Sequence, residues 1–266
     1  MPEIPVNGTT IHYEESGPRD APALLLGHSL FFDHAMFDPL ADRLDDTFRV
    51  VRYCHRGQGH SARDEPYDMD TLTDDAAALI EALDLGPCHY AGNSMGGFVA
   101  LRLAARRPDL VRTVAAIGSS GGAEGKIAEF DPLVEAMGAS GVAPMLDIVM
   151  HIMFGDTSLS DRPELTGPWS ERLAALGPEI AGPAHAVVHR TSVLEELRDA
   201  QVPVLAIAGA EDHAYSVDDS RAIAEACPDG RLEIVQAAGH SVSLEQPDEV
   251  AALLRAHIGA AVAEGV

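Results

Sequence analysis

The sequence is poor in positive charge. Lys126 is its single lysine, and 18 basic residues stand against 42 aspartates and glutamates in a chain of 266 residues. The formal net charge is -24. Such an acidic surface repels phosphate groups, so we expect neither a nucleic-acid partner nor an anionic membrane surface. The same charge disfavours strongly anionic substrates.

Cysteine is scarce and long apolar runs are missing. Cys54, Cys88 and Cys227 are far apart and form no paired motif, which predicts free thiols rather than a disulfide or a zinc site. No stretch approaches the roughly 20 apolar residues of a membrane helix, and the first residues do not have the pattern of a signal peptide. We therefore expect a cytoplasmic protein. The sequence does not decide between a monomer and a homodimer.

Short apolar segments alternate with segments of helical periodicity along most of the chain, which predicts an α/β fold with a mostly parallel sheet and helices on both faces. The predicted strands are 10–14, 23–27, 49–53, 88–91, 112–117, 202–208 and 231–235. The predicted helices are 70–83, 95–106, 217–226 and 248–261. Between 122 and 191 the alternation stops, and methionines and aromatic residues accumulate. This segment predicts a helical insertion into a core domain formed by residues 1–121 and 192–266.

The stretch Gly92-Asn93-Ser94-Met95-Gly96-Gly97 lies between a predicted strand and a predicted helix. A tight turn of this kind exposes a serine hydroxyl above the sheet, provided that small residues flank it. A serine that merely caps the next helix is the structural alternative. The context favours Ser94 as a catalytic nucleophile, which then needs a base and an orienting acid.

The chain order Ser…Asp…His selects the two partners. His240 follows the last predicted strand, where catalytic groups gather in open α/β sheets, and it is the predicted base. Asp212 follows the preceding strand and is the predicted acid. Its neighbour Glu211 is an alternative acid, and Glu124 is a more remote one.

An acyl-transfer site also needs two backbone N–H groups to bind the oxyanion. Met95 is predicted to supply one. The loop after the strand at 23–27 supplies the other, and Leu30 is the predicted donor with Phe31 as the alternative.

These motifs, together with Arg56-Gly57-Gln58-Gly59-His60-Ser61, resemble the α/β-hydrolase superfamily over nearly the whole chain. The resemblance implies an eight-stranded sheet, and a helical cap between its sixth and seventh strands that matches the insertion at 122–191. Among its branches, the sequence is most similar to 3-oxoadipate enol-lactonases and cofactor-free esterases or haloperoxidases. It differs from the usual Asp-x-Arg-Gly loop, because Cys54 stands where relatives commonly have aspartate.

The turn Gly92-Asn93-Ser94-Met95-Gly96-Gly97, here called the elbow, is also similar to that of meta-cleavage product hydrolases, which cut carbon–carbon bonds. Those enzymes usually have a His-Gly-Gly-Gly oxyanion loop and an aromatic residue after the catalytic Gly-His, whereas this chain has His28-Ser29-Leu30-Phe31 and Ser241-Val242. Both differences favour ester chemistry. A slow-turnover receptor of the same fold remains an alternative, as does perhydrolysis as a side activity.

We therefore expect a serine hydrolase acting on a small, largely apolar carboxylic ester or lactone. No metal and no organic cofactor is expected. The predicted substrate contacts are Phe31, Phe154 and Trp169. For the two cap residues, simple packing against the main domain is the alternative.

Overall fold

A computed structural model describes residues 2–264, and eight strands form one sheet among them. The strands are β1 (Glu3–Val6), β2 (Thr9–Ser16), β3 (Ala23–Gly27), β4 (Arg49–Tyr53), β5 (Cys88–Asn93), β6 (Val111–Ile117), β7 (Val204–Gly209) and β8 (Gly230–Val235). Their order in the sheet is β1-β2-β4-β3-β5-β6-β7-β8. The pairs β1–β2 and β2–β4 are antiparallel, and all the others are parallel. The carboxyl ends of β3 to β8 therefore meet at one edge.

Eleven α-helices lie within the described residues. They are α1 (Asp38–Leu44), α2 (Met69–Ala82), α3 (Met95–Arg106), α4 (Ile127–Ser140), α5 (Leu146–Met153), α6 (Asp156–Asp161), α7 (Pro163–Ala174), α8 (Ala181–Val188), α9 (Val217–Ala226), α10 (Val242–Glu245) and α11 (Pro247–Glu264). No helix among residues 2–264 is both long and apolar enough to cross a membrane.

The central strands bury both of their faces, which explains their nearly continuous apolar sequence. Side chains of successive residues point to opposite sides of a strand, so Leu24 and Leu26 join one apolar cluster while Leu25 joins the other. Helices α1 and α11 cover the first face, and helices α2, α3 and α9 cover the second. The sheet is thus the middle of three layers.

Residues 118–203, between β6 and β7, contain helices α4 to α8 and short 3-10 turns but no strand. The helical insertion expected at 122–191 lies within this segment. Helix α4 packs against α8, and α5 packs against α7. The insertion therefore has internal helix packing of its own, above the edge where the parallel strands end.

Candidate active site

Ser94 lies at the sharp turn between β5 and α3. Its backbone has φ 51° and ψ -108°, which is unusual for a non-glycine residue. A Cβ atom on Gly96 would lie 1.9 Å from the carbonyl oxygen of Gly27, and one on Gly92 would lie 2.1 Å from the carbonyl carbon of Gly96. Both positions need glycine because two backbone segments touch here, and this contact holds Ser94 in its strained conformation.

His240 follows β8, and Asp212 follows β7. Nδ1 of His240 lies 3.0 Å from one carboxylate oxygen of Asp212 and 3.2 Å from the other. Oδ1 of Asp212 also accepts the backbone N–H groups of Ala214 and Tyr215, at 2.7 and 3.0 Å. These bonds fix the carboxylate against Nδ1, so Nε2 is the ring nitrogen left to accept a hydroxyl proton.

The two alternative acids have other partners. Glu211 accepts the backbone N–H of Thr157 at 2.8 Å and its hydroxyl at 2.6 Å. Glu124 forms a buried ion pair with Arg190, with 3.2 Å between nitrogen and oxygen. Of the three carboxylates considered, Asp212 is the one that hydrogen-bonds His240.

The amides of Leu30 and Met95 are free to bind an oxyanion. Within residues 2–264, neither N–H group has a protein acceptor. The N–H of Phe31 is occupied, because it donates to Oε1 of Gln58 at 3.0 Å. The turn is closed by a bond from the Phe32 N–H to the Ser29 carbonyl at 3.2 Å. Of the two donors considered for this loop, the geometry favours Leu30.

His28 anchors the same loop. Its Nδ1 lies 2.7 Å from the Ser29 carbonyl and its Nε2 accepts the N–H of His55 at 2.9 Å, so the proton is on Nδ1. Burial lowers the pKa of His28 to about 4, which keeps this tautomer neutral. The carbonyl of His28 accepts the N–H of Gly96 at 3.1 Å. The oxyanion loop and the nucleophile turn are therefore joined directly.

Two polar side chains that sequence reasoning left without a role hold the His240 loop. Nδ2 of Asn93 donates to the His240 carbonyl at 2.9 Å, and Oδ1 of Asn93 accepts the Ser243 hydroxyl at 2.9 Å. Glu245 accepts the N–H groups of Gly239 and Gly155, both at 2.9 Å, and burial raises its pKa. Asn93 directly precedes Ser94, and this position beside the candidate nucleophile was the one feature of the sequence that could have indicated its role. Nothing in the sequence singled out Glu245.

Ser94 and His240 open on one cavity together with Leu30 and Phe31. The cavity contains about 680 Å³ of empty space, including its open mouth. Its remaining wall comes mostly from apolar side chains of the helical insertion: Phe130, Leu133, Val134, Met137, Met145, Ile148, Val149, Ile152, Met153, Ala184, Val187 and Val188. A ligand in this cavity would contact the candidate nucleophile and a hydrophobic wall at once.

Of the three predicted substrate contacts, the structure brings Phe31 to the cavity wall but not Phe154 or Trp169. Phe154 is fully buried, and its ring centre lies 6.2 Å from that of Phe32. Trp169 lies 4.8 Å from Phe32, and the Arg172 guanidinium covers its ring at 4.2 Å. Both aromatic residues instead pack the insertion onto the oxyanion loop, behind the cavity wall.

The arginines of the insertion do not line the cavity. Arg190 is paired with Glu124, which does line it, and the guanidinium lies 4.4 Å from the centre of the Phe98 ring. Arg172 binds Asp33 at 2.6 Å. Arg162 donates to a backbone carbonyl at 2.5 Å. Each of these three guanidinium groups is therefore already paired with a protein group.

Known proteins resemble this chain over most of its length. The 3-oxoadipate enol-lactonase 1 of Acinetobacter baylyi is 27% identical over 245 residues, which cover 91% of this chain and 90% of that protein. RutD of Agrobacterium fabrum, named as a candidate carbamate hydrolase, is 28% identical and covers 90% of this chain and 94% of its own length. The crystal structure of the enol-lactonase from Burkholderia xenovorans LB400 superposes with a TM-score of 0.91 at 28% identity, covering 97% of this chain and all of that one.

The eight-stranded, mostly parallel sheet and the expected fold class are thus confirmed. The model of the alpha/beta hydrolase family matches residues 23–253, which include the nucleophile turn and the Asp212 and His240 loops. The chain belongs to the alpha/beta hydrolase family.

Proposed function

We propose that this protein hydrolyses a neutral carboxylic ester or lactone with an apolar acyl group, through an acyl-enzyme on Ser94. The observation that carries the proposal is the shared cavity. Ser94 and His240 both open on it, His240 is held by Asp212, and the opposite wall is apolar. The enol-lactonase names of similar proteins support a lactone or ester as the substrate class.

In the proposed mechanism, the Ser94 hydroxyl oxygen attacks the substrate carbonyl carbon while Nε2 of His240 takes the hydroxyl proton. The N–H groups of Leu30 and Met95 bind the oxyanion that forms. The tetrahedral intermediate collapses, and His240 gives its proton to the departing alkoxide. A water molecule then attacks the acyl-enzyme with the same histidine as base, which releases the acid and restores Ser94.

The proposed acyl group differs in charge from the substrate in the names of the 3-oxoadipate enol-lactonases. An enol-lactone of a dicarboxylic acid retains one carboxylate, which needs a cation when it is buried. Glu124 is the one carboxylate among the described residues that line the cavity, and it forms an ion pair with Arg190. Neither Arg162 nor Arg172 lines the cavity. A neutral acyl group avoids this cost.

Two substrates of equal length test the proposal, namely 4-nitrophenyl pentanoate and mono-4-nitrophenyl glutarate. We expect kcat/KM to be about 100-fold higher for the neutral ester, the equivalent of ~2.7 kcal/mol for an unpaired carboxylate. The variant Glu124→Gln frees Arg190 and should raise kcat/KM for the glutarate alone. Ser94→Ala serves as the inactive control.

A preference for the glutarate in the wild-type enzyme would contradict the neutral-substrate proposal. Negligible turnover of every ester tried, with the ligands still bound, would favour the receptor-like alternative. Hydrolysis of vinylogous 1,5-diketones in preference to both esters would favour carbon–carbon cleavage.

A further inference from the structure

A cluster of three potential metal ligands lies outside the catalytic cavity. His12 and Glu14 are both on β2, and His34 begins the 3-10 turn His34–Phe37 that follows the oxyanion loop. One ligand atom from each of the three residues lies within 4.8 Å of the other two. We call these three residues the histidine cluster. None of them lines the cavity that contains Ser94.

His12 is the unusual member, because its imidazole is fully buried yet unpartnered. Neither ring nitrogen has a hydrogen-bond partner among residues 2–264. A neutral imidazole has one N–H donor and one lone pair, and leaving both unsatisfied inside a protein costs free energy. A buried polar group of this kind indicates a missing partner.

The other two members are oriented toward the same point. Nε2 of His34 lies 3.5 Å from Oε1 of Glu14. Oε2 of Glu14 is bound by Arg52 at 3.1 Å, which leaves Oε1 for the cluster. Two ligands 2.0–2.1 Å from one tetrahedral zinc ion are about 3.3 Å apart, close to the observed separation.

Cys54 contacts the second ring nitrogen of His34. Its Sγ lies 3.3 Å from Nδ1 of His34, on the ring edge away from Glu14. A histidine ligand typically donates its second N–H to a neighbouring acceptor, and the Cys54 sulfur is close enough to be that acceptor. The exposed ring of His60, with its centre 5.0 Å from that of His12, adds a further imidazole at the rim.

We propose that His12, Glu14 and His34 bind one divalent transition-metal ion, with zinc as the metal that suits them best. Two imidazole nitrogens and one carboxylate oxygen favour zinc, cobalt or nickel over the all-oxygen sites of calcium and magnesium. The ion joins strand β2 to the segment that follows the oxyanion loop. It is a structural site, separate from the reacting atoms.

A second group, His151, Asp156 and His213, offers a matched control. Its members are exposed, His213 already bonds Asp156 at 3.0 Å, and the two histidine rings are stacked at 4.0 Å. No unpartnered buried nitrogen has been found in this group. Surface histidines with partners of their own need no metal to explain them.

The test is a Co²⁺ and Zn²⁺ titration of the full-length, tag-free protein, followed by the cobalt absorption spectrum and by metal-dependent thermal unfolding. We expect one ion per chain, a spectrum typical of tetrahedral cobalt, and a rise in Tm with Zn²⁺. Glu14→Gln, at the partly exposed edge of the cluster, should weaken binding about tenfold or more. His34→Gln should do the same, and His151→Gln should leave binding unchanged.

Three results would each overturn the proposal. They are the absence of binding at micromolar metal in the folded wild-type protein, unchanged binding in Glu14→Gln and His34→Gln, and loss of binding in His151→Gln. Ester hydrolysis measured in the same samples keeps this test separate from the catalytic proposal, since none of the three substitutions touches the cavity residues Ser94 and His240.

Discussion

At the residue scale, hydrogen bonds to other residues hold Asp212 and His240 in position. The amides of Ala214 and Tyr215 bind Asp212 Oδ1, and the Asn93 side chain binds the carbonyl of His240. Both side chains are therefore held in place by hydrogen bonds within the protein. In the proposed mechanism, such preorganisation lowers the cost of reaching the transition state.

The role of Asp212 gives a prediction with a neighbouring control. Asp212→Asn should lower kcat by about three to four orders of magnitude with a small change in KM, because an amide no longer selects the Nδ1–H tautomer of His240. Glu211→Gln should lower kcat less than about tenfold, since Glu211 bonds Thr157 and not the histidine. Steady-state kinetics on a neutral aryl ester measures both. Equal losses in the two variants would contradict this assignment.

Sequence order was sufficient to predict Ser94, Asp212 and His240 as partners, and the structure places Asp212 against His240 and Ser94 on the same cavity. For the oxyanion donor, the sequence predicted Leu30 and left Phe31 as an alternative. That choice depends on Gln58, which is 27 residues further along the chain and takes the Phe31 N–H. The histidine cluster escaped sequence reasoning for a similar reason, because its members are not spaced as a metal-binding motif.

At the element scale, the contact between β3 and the start of α3 determines whether the site can form. Gly96 lies against the backbone of Gly27, and no side chain fits between them. The close approach of these two backbones places Ser94 on the cavity wall and brings the Leu30 loop beside it.

Replacing glycine by alanine should change the free energy of unfolding in opposite directions at Gly96 and Gly259. Gly96→Ala should lower the free energy of unfolding by about 3 kcal/mol or more, because its Cβ would meet the Gly27 carbonyl oxygen. Gly259→Ala, in an exposed and open part of α11, should raise it by about 0.5–1 kcal/mol through better helix propensity. Urea unfolding of both variants provides the measurement. A neutral Gly96→Ala would show that the elbow is less crowded than described.

The elements were predictable where one pattern dominated. The bounds of β3, β4, α3 and α9 agree with the sequence patterns. Strand β1 and helix α1 were not predicted, because β1 is short and half exposed and α1 spans only seven residues after a 3-10 turn. The insertion was recognised by its lost alternation. Phe154 and Trp169 do not line the cavity, and both rings lie against Phe32 instead.

At the scale of the whole molecule, the fold buries several neutral histidines inside an acidic protein. His89 is one of them, 2% exposed on β5, with its Nδ1 2.9 Å from the Thr113 hydroxyl oxygen. Burial, followed by the charge of Arg112, lowers its pKa to about 4. In the unfolded chain, His89 takes up a proton near pH 6.5. In the native state it stays neutral until the pH falls toward about 4.

Stability should therefore decrease as the pH falls below 6.5. A depressed native pKa contributes stability that is present above the unfolded value and is lost as the pH falls toward about 4. His89 alone accounts for a loss of about 2 kcal/mol between pH 7 and pH 5. His89→Gln, which can keep the bond to Thr113, should remove this part of the pH dependence. Equal pH slopes in urea unfolding of the variant and the wild type would refute it.

The central claim is that this fold presents Ser94 as the nucleophile of an acyl-transfer site, and a fluorophosphonate tests it most directly. We expect intact-mass spectrometry to show one adduct per chain, peptide mapping to place it on Ser94, and a neutral ester to protect against labelling. Ser94→Ala should remain folded, take up no label and have no esterase activity. An adduct on another residue, or near wild-type turnover in folded Ser94→Ala, would contradict the account.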